Sequence, residues 1–143
     1  MRKKINKNNR SEWRSACPIN ISLERFGDKW SLLILRDLMF KDRHEYKDFL
    51  QAEEKIATNV LSDRLKQLES HGIIEKRPHA EDARKVNYQL SEKGMDLAPA
   101  LIEMIIWAAK YENTAAPPSV VREMKSNRDS FVTGLRQVWK GQG

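Results

Sequence analysis

Cysteine is nearly missing from this chain, with one residue, Cys17, among 143. A single thiol cannot close an intramolecular disulfide, which excludes the stapled frameworks of small secreted domains. His44, His71 and His79 therefore have no cysteine pair beside them, and they show no paired ligand spacing, so no metal site is expected. Glycine is scarce too: the six glycines form neither a phosphate-cradling loop nor a nucleophile elbow. Their absence argues against enzyme activity, and no cofactor is expected. No apolar run approaches the roughly 20 residues that span a bilayer. The basic start lacks the apolar segment of a signal sequence. The expectation is a soluble, cytoplasmic protein with no membrane partner.

What the chain does have is charge. Asp, Glu, Lys and Arg make up 32% of it and the net charge is +6, which favours an anionic partner without separating nucleic acid from a membrane surface. The length fits one domain with a small core. Residues 1–14 hold Arg2, Lys3, Lys4, Lys7, Arg10 and Arg14 against a single acid, Glu12. They read as a flexible basic arm, with Trp13 docking at its edge.

Helical spacing organises the next stretch. Cys17-Pro18 opens a helix that Ile19, Leu23 and Phe26 make amphipathic and Gly27 ends. Asp28 caps a second, with Trp30, Leu33, Ile34 and Leu38 in a central core position. A turn at 41–43 and an extended piece at 44–46 lead to a short helix over Lys47–Glu53. The helix over 57–71 follows after a short connection, as in a helix-turn-helix. Leu61, Leu65 and Leu68 form its inner stripe, Ile56 packs against them, and Gly72 follows its end. Its other face carries Thr58, Asn59, Ser62, Asp63 and Lys66. Such short polar groups suit base edges in a major groove, although a solvated helix face looks the same in sequence.

Beyond Gly72 the period falls to two. Ile73–Arg77 and the alternation of Val86, Tyr88 and Leu90 with Lys85, Asn87 and Gln89 predict two strands around a polar loop at 79–84. Ser91 then caps one long helix to about Glu112, kinked at Pro99. Leu97, Leu101, Met104, Ile105, Ala108 and Tyr111 form its main stripe. Ile102, Ile106 and Trp107 widen the apolar surface beyond what one small domain can bury, so a second subunit is the expected cover. A small effector could use the same surface, but no effector chemistry can be read. The domain plan is thus an arm (1–14), a winged-helix domain with its dimerisation helix (15–112), a linker (113–118) and a final amphipathic helix (119–143) capped by Ser119.

Several blocks resemble one family. Cys17-Pro18, the 27–35 block Gly-Asp-Lys-Trp-Ser-Leu-Leu-Ile-Leu, Tyr46-Lys47-Asp48-Phe49, the 59–69 block, Gly72-Ile73-Ile74, the 88–94 block and Leu97-Ala98-Pro99 occur in the order of the HxlR-type winged-helix regulators, relatives of the MarR group. The resemblance spans Cys17 to about Trp107. It implies a mainly helical fold with a hairpin wing, and a homodimer reading palindromic double-stranded DNA through the helix at 57–71 and the wing at 79–85. Three positions depart from the family pattern. Ala57 replaces a capping serine, leaving Thr58 to take over the cap; Lys55 replaces a common glycine, and Glu45 a common arginine.

The expected DNA contacts are therefore Thr58, Asn59, Ser62, Asp63 and Lys66 in the major groove. Arg84 and Lys85 would act from the wing, and Lys29 and Lys47 on phosphates. Asp63 could equally pair with a nearby cation, and Arg64 is expected to pair inside the domain. The dimer contacts expected are Trp13, Ile19, Leu101, Ile102, Ile105, Ile106 and Trp107. Cys17, at a helix start with Arg14 near in sequence, is a candidate redox sensor or else a small packed residue. A winged-helix module for protein–protein assembly, with incidental basic charge, is the alternative to the DNA-binding regulator.

Overall fold

The computed structural model describes residues 13–142, so Arg2, Lys3, Lys4, Lys7 and Arg10 of the expected arm lie outside the described residues. The helix α1 (Pro18–Phe26) begins as the sequence requires. Cys17 is its N-cap and Pro18 its first residue, where a missing N–H costs nothing. Next, α2 (Lys29–Phe40) is capped by Asp28, whose carboxylate accepts from the Ser31 amide at 2.9 Å. Ile34, Leu35 and Leu38 bury its inner side. Asp37 is buried on the same helix, and Arg36 at 2.8 Å and Arg43 at 2.9 Å neutralise it. Without those guanidiniums the desolvated carboxylate would be strongly destabilising.

The short helix α3 (Tyr46–Leu50) stops three residues earlier than its apolar pattern predicts. The Gln51 amide bonds back to Asp48, and the chain then turns through Lys55 at φ +56°. Glycine adopts that left-handed angle freely and lysine does not. From this turn α4 (Thr58–Ser70) runs across the domain with Leu61, Leu65 and Leu68 in the core beside Ile56 and Phe49. Gly72, at φ +72°, reverses the chain after it.

Two antiparallel strands follow, β1 (Ile74–Pro78) and β2 (Val86–Leu90), with Ile74 opposite Leu90 and Pro78 opposite Val86. Ile73 precedes β1 instead of opening it. The extended piece at 44–45 lines the other edge of β2, where the Tyr88 amide donates to the His44 carbonyl at 2.8 Å and Glu45 bridges Asn87. Helices α1 to α4 followed by this hairpin make a winged helix-turn-helix, mainly helical with a small wing.

Downstream, two expected helices are each two. Ser91 caps only α5 (Glu92–Met95), accepting from the Gly94 amide at 3.1 Å. The chain then tightens to a three-residue bond from the Leu97 amide to the Gly94 carbonyl and restarts as α6 (Ala98–Tyr111). Pro99 does not kink a continuous helix. It stands in the first turn of a new one, where its lack of an N–H is harmless. Gly94 lies so close to the Ile73 carbonyl that any β-carbon there would collide with it.

The final segment is likewise split into α7 (Pro118–Ser126) and α8 (Arg128–Gly141). Pro117 occupies the cap position expected of Ser119, and Asn127, at φ −132° and ψ 49°, breaks the chain. That break turns α8 back onto the domain, where Val132, Leu135 and Trp139 pack against the core. The Trp139 indole donates to the Leu90 carbonyl at 2.8 Å, and the Gln89 amide group donates to the Gln142 carbonyl at 2.9 Å. Gln89, expected on the open side of β2, is therefore buried. No helix among the described residues is long and apolar enough to cross a membrane.

Candidate nucleic-acid interface

Position on α4 separates its residues cleanly. Thr58, Asn59, Ser62, Asp63 and Lys66 are all exposed, while the leucines three or four residues away are buried. Ala57 occupies the N-cap, and among the described residues no side chain caps the first amides of the helix. Thr58 does not take over the cap; it is already the first helical residue. The start of α4 thus presents unsatisfied N–H groups and the positive end of the helix dipole toward solvent.

Neighbouring elements fix this surface. The Tyr46 hydroxyl donates to the Thr58 carbonyl at 3.0 Å and lies 3.0 Å from the Ser62 hydroxyl, tying α3 to the first turn of α4. Arg64 faces inward as expected, reaching Asp28 at 3.0 Å and Asp63 at 2.7 Å. Burial works to raise the Asp28 carboxyl, but its bonds to Ser31 and the charge of Arg64 outweigh that and hold it below its usual range. Asp63 also accepts from Gln67 at 3.1 Å, so its carboxylate is engaged within the helix. Lys29 follows Asp28 and lies over the Trp30 ring at 4.9 Å. Lys47 sits 3.4 Å from Glu45 and stays largely exposed.

The wing loop has internal order. Asp82 accepts from the Arg84 amide at 3.0 Å, and its pKa is lowered chiefly by that bond. The Arg84 side chain remains 91% exposed, and Lys85 is exposed beside it. His79 accepts from the Glu81 and Asp82 amides at Nδ1, at 3.1 and 3.2 Å, which leaves Nε2–H to donate to Glu45 at 2.9 Å. Tyr46 and Glu45 are the residues that sequence reading missed. Glu45 had been noted only as a departure from a common arginine, and its partner lies 34 positions away in the chain.

The expected dimer residues divide. Leu101 is 5% exposed and Ile102 0%, so both belong to the core and are not available as dimer contacts. Ile105 and Ile106 are half-buried. Trp107, at 63%, is exposed on α6 with Met104 and Tyr111, and Ile19 and Leu23 are exposed on α1. Trp13 packs under Arg25 of α1, 5.4 Å from guanidinium to ring.

Cys17 is exposed. The first-turn amides of Asn20 and then Ile19 lower its pKa, and they, not Arg14, are the source of that shift. Among the described residues no group of His, Cys, Asp and Glu side chains is arranged to hold a metal ion.

Comparison with known proteins places this geometry. An HTH-type transcriptional regulator of Synechocystis, sll1512, is 39% identical over 88 residues, which cover 62% of this chain and 64% of that protein. The matched stretch thus spans less than two thirds of that relative. YdeP of Bacillus subtilis, also an HTH-type transcriptional regulator, is 30% identical over 68% of this chain and 75% of its own. Among solved structures, the redox regulator HypR in its oxidized form superposes with a TM-score of 0.60 at 25% identity, covering 68% of this chain and all of HypR. The reduced form of the transcriptional regulator YodB from B. subtilis gives 0.55 at 32% identity, over 68% and 95% of the two chains. These relatives are transcriptional regulators and not enzymes. The sequence pattern of the HxlR-like helix-turn-helix covers residues 25–116, and the chain belongs to that family.

Proposed function

We propose that this protein is a cytoplasmic, homodimeric regulator that binds a palindromic operator in double-stranded DNA. The observation that carries the reading is the outer face of α4, where five short or flexible polar side chains and an uncapped helix start stand open to solvent. In this reading Asn59 reads adenine edges, Thr58 and Ser62 bond bases or phosphates, and Lys66 takes guanine or phosphate. Asp63 acts indirectly, by holding Arg64 and Gln67. Lys29 and Lys47 neutralise phosphates on either side of α4, and Arg84 and Lys85 follow the backbone or adjacent minor groove from the wing. The partner subunit covers the apolar side chains of α1 and α6, with Ile19, Trp107 and the exposed edges of Ile105 and Ile106 at the contact.

Cys17 gives this regulator its switch. The thiol is exposed, and the first-turn amides that lower its pKa favour the thiolate form. Two Cys17 thiols, one from each subunit, join as a disulfide while the oxidant takes up the two electrons and two protons. The likeness to HypR, a redox regulator, favours this use of the residue.

Selection of bound sequences from random duplex DNA, repeated with diamide, tests the whole reading. A two-fold symmetric site with half-sites about one helical turn apart is expected. Log affinity should fall against log salt at about −0.9 per phosphate neutralised. Diamide should change affinity in the native protein and not in Cys17→Ser. A flat salt response with no enriched sequence would overturn the regulator reading in favour of a protein–protein assembly module.

A further inference from the structure

Away from α4 and the wing, α2, α6, α7 and α8 surround a groove of about 700 Å³. Its walls are apolar, formed by Met39 and Phe40 of α2, Ile105 of α6, Val120 of α7, and Phe131 and Leu135 of α8. Two of the four walls lie beyond residue 116, where the family pattern ends. The groove is therefore made by a segment that the shared winged-helix domain does not include.

Three charged residues line it, and two already have polar partners. Arg36 is held by Glu54 at 2.6 Å and by Asp37 at 2.8 Å. Asp42 accepts from His44 at 2.8 Å and from Gln142 at 3.3 Å. Lys41, at the end of α2, is exposed and has no ion pair among the described residues. Glu53 lines only the adjoining hollow beyond Lys41. A groove of this size, apolar along its length, with one lysine at the mouth that has no ion pair among the described residues, has the size and lining of a small-molecule site.

We propose that this groove binds an apolar monocarboxylic acid, its carboxylate on the Lys41 ammonium and its hydrocarbon part between α2 and α8. One carboxylate can meet the one ammonium that lacks an ion pair among the described residues; a dianion would leave its second charge against an apolar wall. Occupancy bears on the wing, because the wall helix α8 is hydrogen-bonded to β2 through Trp139 and Leu90 and through Gln142 and Gln89. Any consequence for DNA rests on the function proposed above, but ligand binding itself does not.

Isothermal calorimetry on the full chain, without DNA, tests the site with decanoate and decan-1-ol as probes. Decanoate should bind saturably, once per subunit, and about ten-fold more tightly than the alcohol. Lys41→Met should remove that ten-fold preference and leave the alcohol unchanged. Val138→Trp, at an exposed position on the groove wall, should weaken both ligands while circular dichroism stays native. The proposal is overturned by equal binding of acid and alcohol, by full affinity in Lys41→Met, or by no saturable heat with decanoate. Self-association that Val138→Trp abolishes, in a protein that ignores decanoate, would assign the groove to a second copy of the chain and overturn it as well.

Discussion

Helices α4 and α6 solve the same inner problem and different outer ones. Each buries an apolar stripe in the common core, Leu61, Leu65 and Leu68 on one and Leu101 and Ile102 on the other. Outward, α4 presents Thr58, Asn59, Ser62 and Lys66, whereas α6 presents Met104, Trp107 and Tyr111, with the two rings 5.5 Å apart. Helical periodicity alone makes the two nearly indistinguishable. The chemistry of the outer face separates a surface for a hydrated polyanion from one that gains by leaving water. In the function proposed above, the work falls to the sides of the helices that do not hold the molecule together.

Six changes would break or sharpen this contrast. The largest effect should come where the helices are alike: Leu65→Ala and Leu101→Ala should each cost about 2–5 kcal/mol in urea unfolding, by lost burial and the cavity left. A cost confined to one of them would show that the inner faces are not equivalent. Trp107→Glu attacks the outer face of α6. It should weaken self-association by about 2–4 kcal/mol in sedimentation equilibrium, with an unchanged thermal midpoint at matched subunit concentration in the monomeric range. Asn59→Ala attacks the outer face of α4, and should cost about 1–3 kcal/mol on the selected DNA site with little change on random DNA. Equal loss on both DNAs would remove Asn59 from base reading.

Smaller effects concern the frame around α4. Lys55→Gly should stabilise the fold by up to about 1 kcal/mol, since glycine relieves the left-handed backbone at φ +56° but loses more entropy on folding. No stabilisation in a thermal melt would mean that the turn carries no strain. Glu54, pulled down from 4.5 to about 2 mainly by its bonds to Arg36, adds stability above its unfolded pKa that is lost as pH falls from about 5 toward 2. The carboxylate is partly exposed, so solvent screening keeps its share below about 1 kcal/mol. In Glu54→Gln the acid limb of the stability curve should be shallower over that window, and an unchanged limb would remove the pair from the account.

Local signals carried much of the fold. The Asp28 cap, Pro18 at a helix start, the leucine stripe of α4 and the hairpin periodicity all act over a few residues, and each element formed where those signals stand. The breaks after Met95 and at Asn127 were not legible, because tertiary packing decided them. Asn127 carries no strong stop signal, yet leaving the helix there lets α8 return Leu135 and Trp139 to the core. The same return buries Gln89 and defeats the alternation expected of β2. On the candidate interface, the exposure of Thr58, Asn59, Ser62, Asp63 and Lys66 followed from α4 periodicity, whereas the bonds of Tyr46 to Ser62 and of Glu45 to His79 join residues distant in sequence. Leu101 and Ile102 were misread as contact residues because an all-round apolar helix does not say which side its own domain will claim.

The hairpin is anchored unequally along its length. Its base is clamped by α8 and by the 44–45 piece, while the tip meets the rest of the domain through the bridge from His79 to Glu45 and is otherwise held by bonds within its own loop. Loop residues between Ala80 and Arg84 can therefore be lengthened, shortened or recharged without loosening the root. Such a construction lets the reach of the wing evolve independently of the scaffold that carries it.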